Sequence, residues 1–300
     1  MGTENISRRY AGLDAWEAAD ILDGLIEGQM SAVAAVRGAR RDIETAALAV
    51  EERLRAGAGR LIYAGAGTSG RLAVQDGAEL PPTFSWPDDR LLLLIAGGRD
   101  ALTTAVEGAE DSSERGAELI REHAVDGADV LVGVAASGTT PFTLACLTEA
   151  KGRGALTIGI ANNFAAPLLT QADHGIWLDT GPEAIAGSTR MKAGTAQKIT
   201  LNLLSSLVMI RLGRVFDGLM VDVQATNLKL VRRAEDMLMR LTGSGPAEVR
   251  EALGRSGGNV KLAVLLLRGC EVAEAEAALE RSGGQLRSAL GLIGARNPVP

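Results

Sequence analysis

Residues Gly187 to Lys198 read Gly-Ser-Thr-Arg-Met-Lys-Ala-Gly-Thr-Ala-Gln-Lys. The hydroxyls of Ser188 and Thr189, the cations Arg190 and Lys192, and the open amides of the long apolar helix expected to follow would converge on one small volume. A helix dipole favours negative charge there, so the chemistry is that of holding a small anion. Taken alone, the run also fits an ordinary Ser/Thr-capped helix with a solvated basic turn. Two further loops weigh against that alternative.

The first, Gly65-Ala66-Gly67-Thr68-Ser69-Gly70, follows the apolar run Leu61 to Ala64 and precedes Arg71-Leu72-Ala73-Val74, so it joins a strand to a helix. Its spacing formally matches the dinucleotide fingerprint. That site needs an acidic residue at the end of the second strand, about 20 residues on. Asp88 and Asp89 lie at that distance but precede the next strand, at its wrong end. The hydroxyls of Thr68 and Ser69 suit a terminal phosphate, which offers more acceptor oxygens than a bridging pyrophosphate. The second loop, Ala136-Ser137-Gly138-Thr139-Thr140-Pro141, follows Val130 to Val134 and leads into a helix over 142–150. It again gathers hydroxyls, while Pro141 at the first helical position gives up no useful donor. Gly67, Thr68, Ser69, Ser137, Gly138, Thr139, Thr140, Ser188, Thr189, Arg190 and Lys192 are therefore the candidate phosphate-binding residues.

These loops require a scaffold of alternating strands and helices. Runs at Arg60 to Ala64, Leu91 to Ala96, Val130 to Val134, Leu156 to Ala161 and Gly175 to Leu178 are short and apolar, and helical patterns separate them. That alternation predicts an α/β fold whose parallel sheet is covered on both faces. Ligands of such sheets bind beyond the carboxyl ends of the strands, where both loops fall. Residues 1–54 read as an N-terminal helical segment, 55–215 as the phosphate-binding domain and 216–242 as a long connecting helix carrying Asp222, Gln224, Thr226 and Asn227. Residues 243–300 read as a small helical tail. Within it Ala252 to Val260 recurs as Ala278 to Leu286, each copy a helix, a Gly-Gly turn and a helix.

The net charge of −6, without a basic stripe interleaved with aromatics, argues against nucleic acid as partner. The two cysteines, Cys146 and Cys270, sit apart among apolar residues and read as reduced thiols. No Cys/His cluster has metal-ligand spacing, and His123 and His174 stand in separate contexts, so neither a metal nor a histidine is assigned a role. The N-terminus has no apolar signal core and Ile199 to Leu212 is too short and polar to span a bilayer, which implies a cytoplasmic protein without a membrane partner.

An ordered set of motifs carries a specific resemblance. Gly-Ala-Gly-Thr-Ser-Gly-Arg at 65–71, Glu79 before Pro81-Pro82-Thr83, Glu107-Gly108-Ala109-Glu110-Asp111, Ala-Ala-Ser-Gly at 135–138, Gly-Ser-Thr-Arg-Met-Lys at 187–192 and Leu219 to Val223 together resemble the N-acetylmuramic acid 6-phosphate etherase family over nearly the whole chain. The resemblance implies a three-layer α-β-α sugar-isomerase (SIS) domain, a ubiquitin-associated-like (UBA-like) helical tail, a cytoplasmic homodimer and no metal or organic cofactor. It implies cleavage of the ether between D-lactate and carbon 3 of the sugar phosphate, in recycling of cell-wall peptidoglycan, with Glu79 as proton donor and Glu110 as the second carboxylate. Leu80 and Thr139 depart from the family's pattern, where Cys and Arg are common; the second departure bears on contacts to the substrate's anionic groups.

The residues make that chemistry intelligible. Opening the sugar ring exposes an aldehyde that acidifies the carbon 2 proton, so elimination replaces direct ether hydrolysis and two carboxylates suffice. Glu79, between apolar neighbours at the expected end of a helix, is placed to have a raised pKa and to act as an acid. Glu110 has Glu107 one turn away and Asp111 beside it, and without the resemblance the group reads as a solvated acidic face. A sugar-phosphate-sensing regulator and an aldose–ketose isomerase share much of the motif set. The regulator resembles two SIS domains in tandem, more than this chain has room for, and the isomerase releases no lactate.

Overall fold

Five apolar runs form the strands of one sheet, and their burial explains their composition. The computed structural model describes residues 2–223 and 228–294. Helices α1 (Ala18–Gly38) and α2 (Arg40–Arg55) precede β1 (Leu61–Gly65), α3 (Gly67–Ala78), α4 (Leu80–Phe84) and β2 (Leu91–Ile95). The alternation continues with α5 (Ser113–Glu122), β3 (Val130–Val134), α6 (Pro141–Gly152), β4 (Leu156–Ala161), α7 (Pro167–Gln171) and β5 (His174–Trp177). The strands are parallel in the order β2-β1-β3-β4-β5, with Leu61 opposite both Leu91 and Val130. The inner strands β1, β3 and β4 are buried along their whole length. Helices cover both of their faces, so they read as unbroken apolar runs rather than as alternating patterns.

On one face Ile62, Ala64 and Leu131 pack with Ile120 of α5 and with Phe142 and Leu147 of α6. On the other, Tyr63 and Leu93 lie against α3 at Gly77, where an added Cβ would stand 2.5 Å from Leu93 Cδ2. The result is the expected three-layer α-β-α arrangement. Each fully buried Ile or Leu contributes roughly 2 kcal/mol of transfer free energy. Buried Asp129 ties the starts of β1 and β3 together: it pairs with Arg60 at 2.6 Å and accepts the Arg60 backbone N–H at 2.8 Å. Burial pushes the Asp129 carboxyl up, but the Arg60 side chain and the amides of Arg60 and Asp126 outweigh it and hold the pKa below the ordinary value.

The chain leaves β1 toward β2 on one side and later leaves β3 toward β4 on the other. This reversal is a topological switch point, and the loops beyond the carboxyl ends of the two strands diverge there to leave a crevice. α3 starts directly on the end of β1: a Cβ on Gly70 would lie 2.8 Å from the Gly65 backbone.

Packing divides the chain between Ala78 and Glu79, between Trp86 and Pro87, and between Val208 and Met209. The last of these boundaries falls inside α8 (Lys192–Arg211). The expected helix over 216–242 divides in two. Val215–Phe216 (β6) and Leu219–Met220 (β7) form an antiparallel hairpin, and α9 runs only over Leu228–Thr242. The Asp217-Gly218 turn, with φ of 49° and 74°, is the reason, because Asp-Gly is a strong two-residue hairpin signal. Gln224, Thr226 and Asn227 lie outside the described residues.

In this second unit α9 packs with α10 (Pro246–Arg255), α11 (Val260–Leu267), α12 (Val272–Arg281) and α13 (Leu286–Gly294) around Leu238, Val249, Ala263 and Ala275. The internal repeat is exact in its turns. Gly258 N–H donates to the Leu253 carbonyl at 2.9 Å and Gly284 N–H to the Leu279 carbonyl at 2.8 Å. Positive φ at all four turn glycines makes those closures possible. Residues 79–86 belong to this unit. Arg214 Nη1 donates to the carbonyls of Phe84 and Ser85 at 2.7 and 2.8 Å, and its guanidinium lies 5.1 Å from the Trp86 ring centre. No helix among the described residues is long and apolar enough to cross a membrane.

Candidate active site

The crevice at the switch point holds a cavity of 350 Å³. From the β1 loop it receives Gly67, Thr68 and Ser69, and from the β3 loop Ser137, Thr139 and Thr140. Thr140 is the N-cap residue of α6, yet its side chain makes no capping hydrogen bond; its Oγ1 lies 3.4 Å from Ser137 Oγ. Thr140 thus lines the cavity without capping its own helix through its side chain. Thr139 N–H donates to Ser137 Oγ at 3.1 Å. Gly138 lies beneath the loop with φ of 68°, where a Cβ would meet Ala166 Cβ at 2.4 Å, so only glycine lets the chain pass.

The turn at 187–192 contributes differently from its expected role. Thr189 lines the cavity, whereas Ser188, Arg190 and Lys192 do not. The amides expected to be open at the start of α8 are occupied: Lys192 N–H and Ala193 N–H donate to the two carboxylate oxygens of buried Glu183 at 3.2 and 2.8 Å. The anion held by this helix terminus belongs to the chain itself. Burial pushes the Glu183 carboxyl up against the pull of those amides and of Lys192. Burial likewise lowers the Lys192 ammonium pKa, opposed by the charge of Glu183. Glu183 carried no sequence signal, because an isolated Glu nine residues before a helix is an unremarkable loop residue.

Three other residues contribute to which the sequence assigns no role. Glu4 and Asp111 line the cavity. Asn163, in the loop after β4, donates to the Ser137 carbonyl at 3.3 Å and to Thr3 Oγ1 at 3.1 Å, and accepts from Thr3 N–H at 3.2 Å. Thr3 is fully buried by these contacts, which hold the N-terminal segment and Glu4 against the rim. Partners 160 residues apart leave no local pattern to read.

Of the two candidate carboxylates, Glu110 lines the cavity from a short turn before α5. It also lines a second cavity of 310 Å³, with which the first shares Ala66, Gly67 and Thr68. Glu107 lines only the second. Glu79 belongs to the other unit, where it is exposed and precedes α4, its carbonyl accepting from Thr83 N–H at 3.1 Å. Neither histidine lines either cavity. Among the described residues no group of three or more His, Cys, Asp or Glu side chains could hold a metal ion.

A family model described as the glucokinase regulatory protein N-terminal SIS domain matches residues 43–151, which include both cavity loops and Glu110. A protein of Deinococcus radiodurans named N-acetylmuramic acid 6-phosphate etherase is 48% identical over 266 residues, covering 89% of this chain and 87% of its own. Proteins of the same name from Streptomyces avermitilis and Mycolicibacterium smegmatis are 46% and 43% identical, each over 90% of this chain and covering 86% and 91% of their own. With so much of both chains aligned at such identity, this chain belongs to the N-acetylmuramic acid 6-phosphate etherase family.

Proposed function

We propose that the protein releases D-lactate from N-acetylmuramic acid 6-phosphate and leaves N-acetylglucosamine 6-phosphate, as a carbon–oxygen lyase in peptidoglycan recycling. The observation that carries this reading is the meeting, in one cavity, of hydroxyl-rich loops from two strand ends with the carboxylate of Glu110. The hydroxyls and amides of Thr68, Ser69, Ser137, Thr139, Thr140 and Thr189 suit a terminal phosphate, and the names of the family relatives supply the substrate class.

In this mechanism the sugar ring opens and Glu110 removes the carbon 2 proton, made acidic by the adjacent aldehyde. The electron pair forms the carbon 2–carbon 3 double bond as the carbon 3–oxygen bond breaks, and Glu79 gives its proton to the departing lactyl oxygen. Water then adds at carbon 3 and carbon 2 regains a proton. The sequence is redox-neutral and asks only for an acid and a base, so this reading includes no cofactor. Support for Glu110 as the base is its place where the two cavities meet. Support for Glu79 is the motif resemblance around Pro81-Pro82.

The same reading makes the protein a cytoplasmic homodimer. The free, buried thiols of Cys146 and Cys270 suit a reducing compartment. Leu22, Ile26, Met30 and Val33 leave an exposed apolar stripe along α1, with a spacing that suits burial against a second copy.

Enzyme-coupled detection of D-lactate after addition of N-acetylmuramic acid 6-phosphate tests the function. Release that falls by about a hundredfold or more in Glu79→Gln and Glu110→Gln is expected, the scale of lost acid–base catalysis. Saturable binding of the sugar phosphate without any lactate would replace the etherase reading with a sensor or an isomerase.

A further inference from the structure

The two cavities that meet at Glu110 differ in chemistry. The first is lined by hydroxyls and carboxylates and has no Lys or Arg side chain in its lining. The second is lined by small apolar groups, among them Ala101, Ala105 and Val106, and by Arg71. Arg71 is thus the only cation lining either cavity among the described residues. Its Nε donates to the Ala101 carbonyl at 2.8 Å and its Nη2 faces the Thr104 carbonyl at 3.5 Å, which fix the guanidinium against the 101–104 turn.

The substrate of the proposed reaction has two anionic ends. Its phosphate is on carbon 6, and its lactyl group, a carboxylate with a methyl branch, is on carbon 3 beside the reacting carbon 2. With the phosphate among the hydroxyls and carbon 2 at Glu110, the carbon 3 substituent is directed away from the first cavity and into the second. The geometry points to this second cavity as a lactyl subsite: Arg71 binds the lactyl carboxylate, and Ala101, Ala105 and Val106 receive its methyl group. The assignment rests on the etherase reading and adds a basis for selectivity. A phosphosugar bearing the lactyl ether is favoured over one with a free carbon 3 hydroxyl, because only the former gives Arg71 a charged partner. Glu107 shares the lining, and its charge opposes that of the lactyl carboxylate.

Steady-state kinetics with the full chain test the subsite. Arg71→Met is expected to raise KM for N-acetylmuramic acid 6-phosphate about tenfold or more, the factor for one charge-assisted hydrogen bond. Competitive inhibition by N-acetylglucosamine 6-phosphate, which lacks the lactyl group, is expected to stay within about twofold. Ala105→Phe, at an exposed position that leaves the Arg71 hydrogen bonds in place, should give the same split by filling the cavity. Glu107→Gln should lower KM for the lactyl sugar. Unchanged KM in both Arg71→Met and Ala105→Phe, or an equal loss of affinity for both sugars, overturns the subsite while leaving the etherase reading intact. A wild-type protein that releases no D-lactate overturns that reading and the subsite with it.

Discussion

A hydroxyl is worth most to a phosphate when it has no competing duty. Thr140, which lines the first cavity with Ser69 and Ser137, forgoes the capping bond that its position offers, whereas Ser137 Oγ also accepts from Thr139 N–H. Ser188, next to Thr189 in sequence, does not reach the lining. Ser69→Ala, Ser137→Ala and Thr140→Ala should each weaken N-acetylglucosamine 6-phosphate binding by about tenfold, whereas Ser188→Ala should change it by less than about twofold. Calorimetric titration of the four variants distinguishes the two groups, and equal losses in all four would return Ser188 to the site. Residue identity made each hydroxyl a candidate. The rotation of each side chain toward ligand, helix or neighbour was set by the packed loops around it, which is why Thr189 and Ser188 part company.

At the scale of elements, the site depends on β1 and β3 staying in register, since their ends carry the two loops. Asp129 fixes that register through Arg60 at the opposite end of both strands. Asp129→Asn should cost about 2–4 kcal/mol at neutral pH, because the Arg60 guanidinium loses its charged partner while most of the group stays buried. The native carboxyl has a lowered pKa, so the unfolded chain takes up its proton first as the pH falls. The stability that Asp129 supplies is therefore complete above its unfolded pKa and lost as the pH passes down through the native one. Urea denaturation from pH 7 to pH 3 should show the wild-type and Asp129→Asn curves converging at the acid end. The strands themselves were legible in the sequence because burial on both faces demands unbroken apolar runs. The hairpin at 215–220 was not read from the sequence, because the apolar residues around Asp217-Gly218 match a helical pattern as readily as strands.

For the whole molecule, the proposed dimer gives the stripe on α1 its purpose. Leu22, Ile26, Met30 and Val33 are each more than half exposed, although their spacing is that of a buried face. The double variant Ile26→Glu/Met30→Glu should shift the mass measured by light scattering from two chains to one, with the sheet domain still folded by circular dichroism. A wild-type protein that is already monomeric at micromolar concentration would remove the assembly from the proposal.

The sequence by itself determined the order of strands and helices, the glycine and hydroxyl loops at the strand ends, and the family. Those properties reside in local periodicity and short motifs, which contiguous residues carry. Only the tertiary structure decided that Glu183 caps α8, that Asn163 joins Thr3 to Ser137, and that Glu110 rather than Glu107 stands where the two cavities meet. Each of those depends on where distant segments come to lie once the core has closed, and no local spacing records that distance.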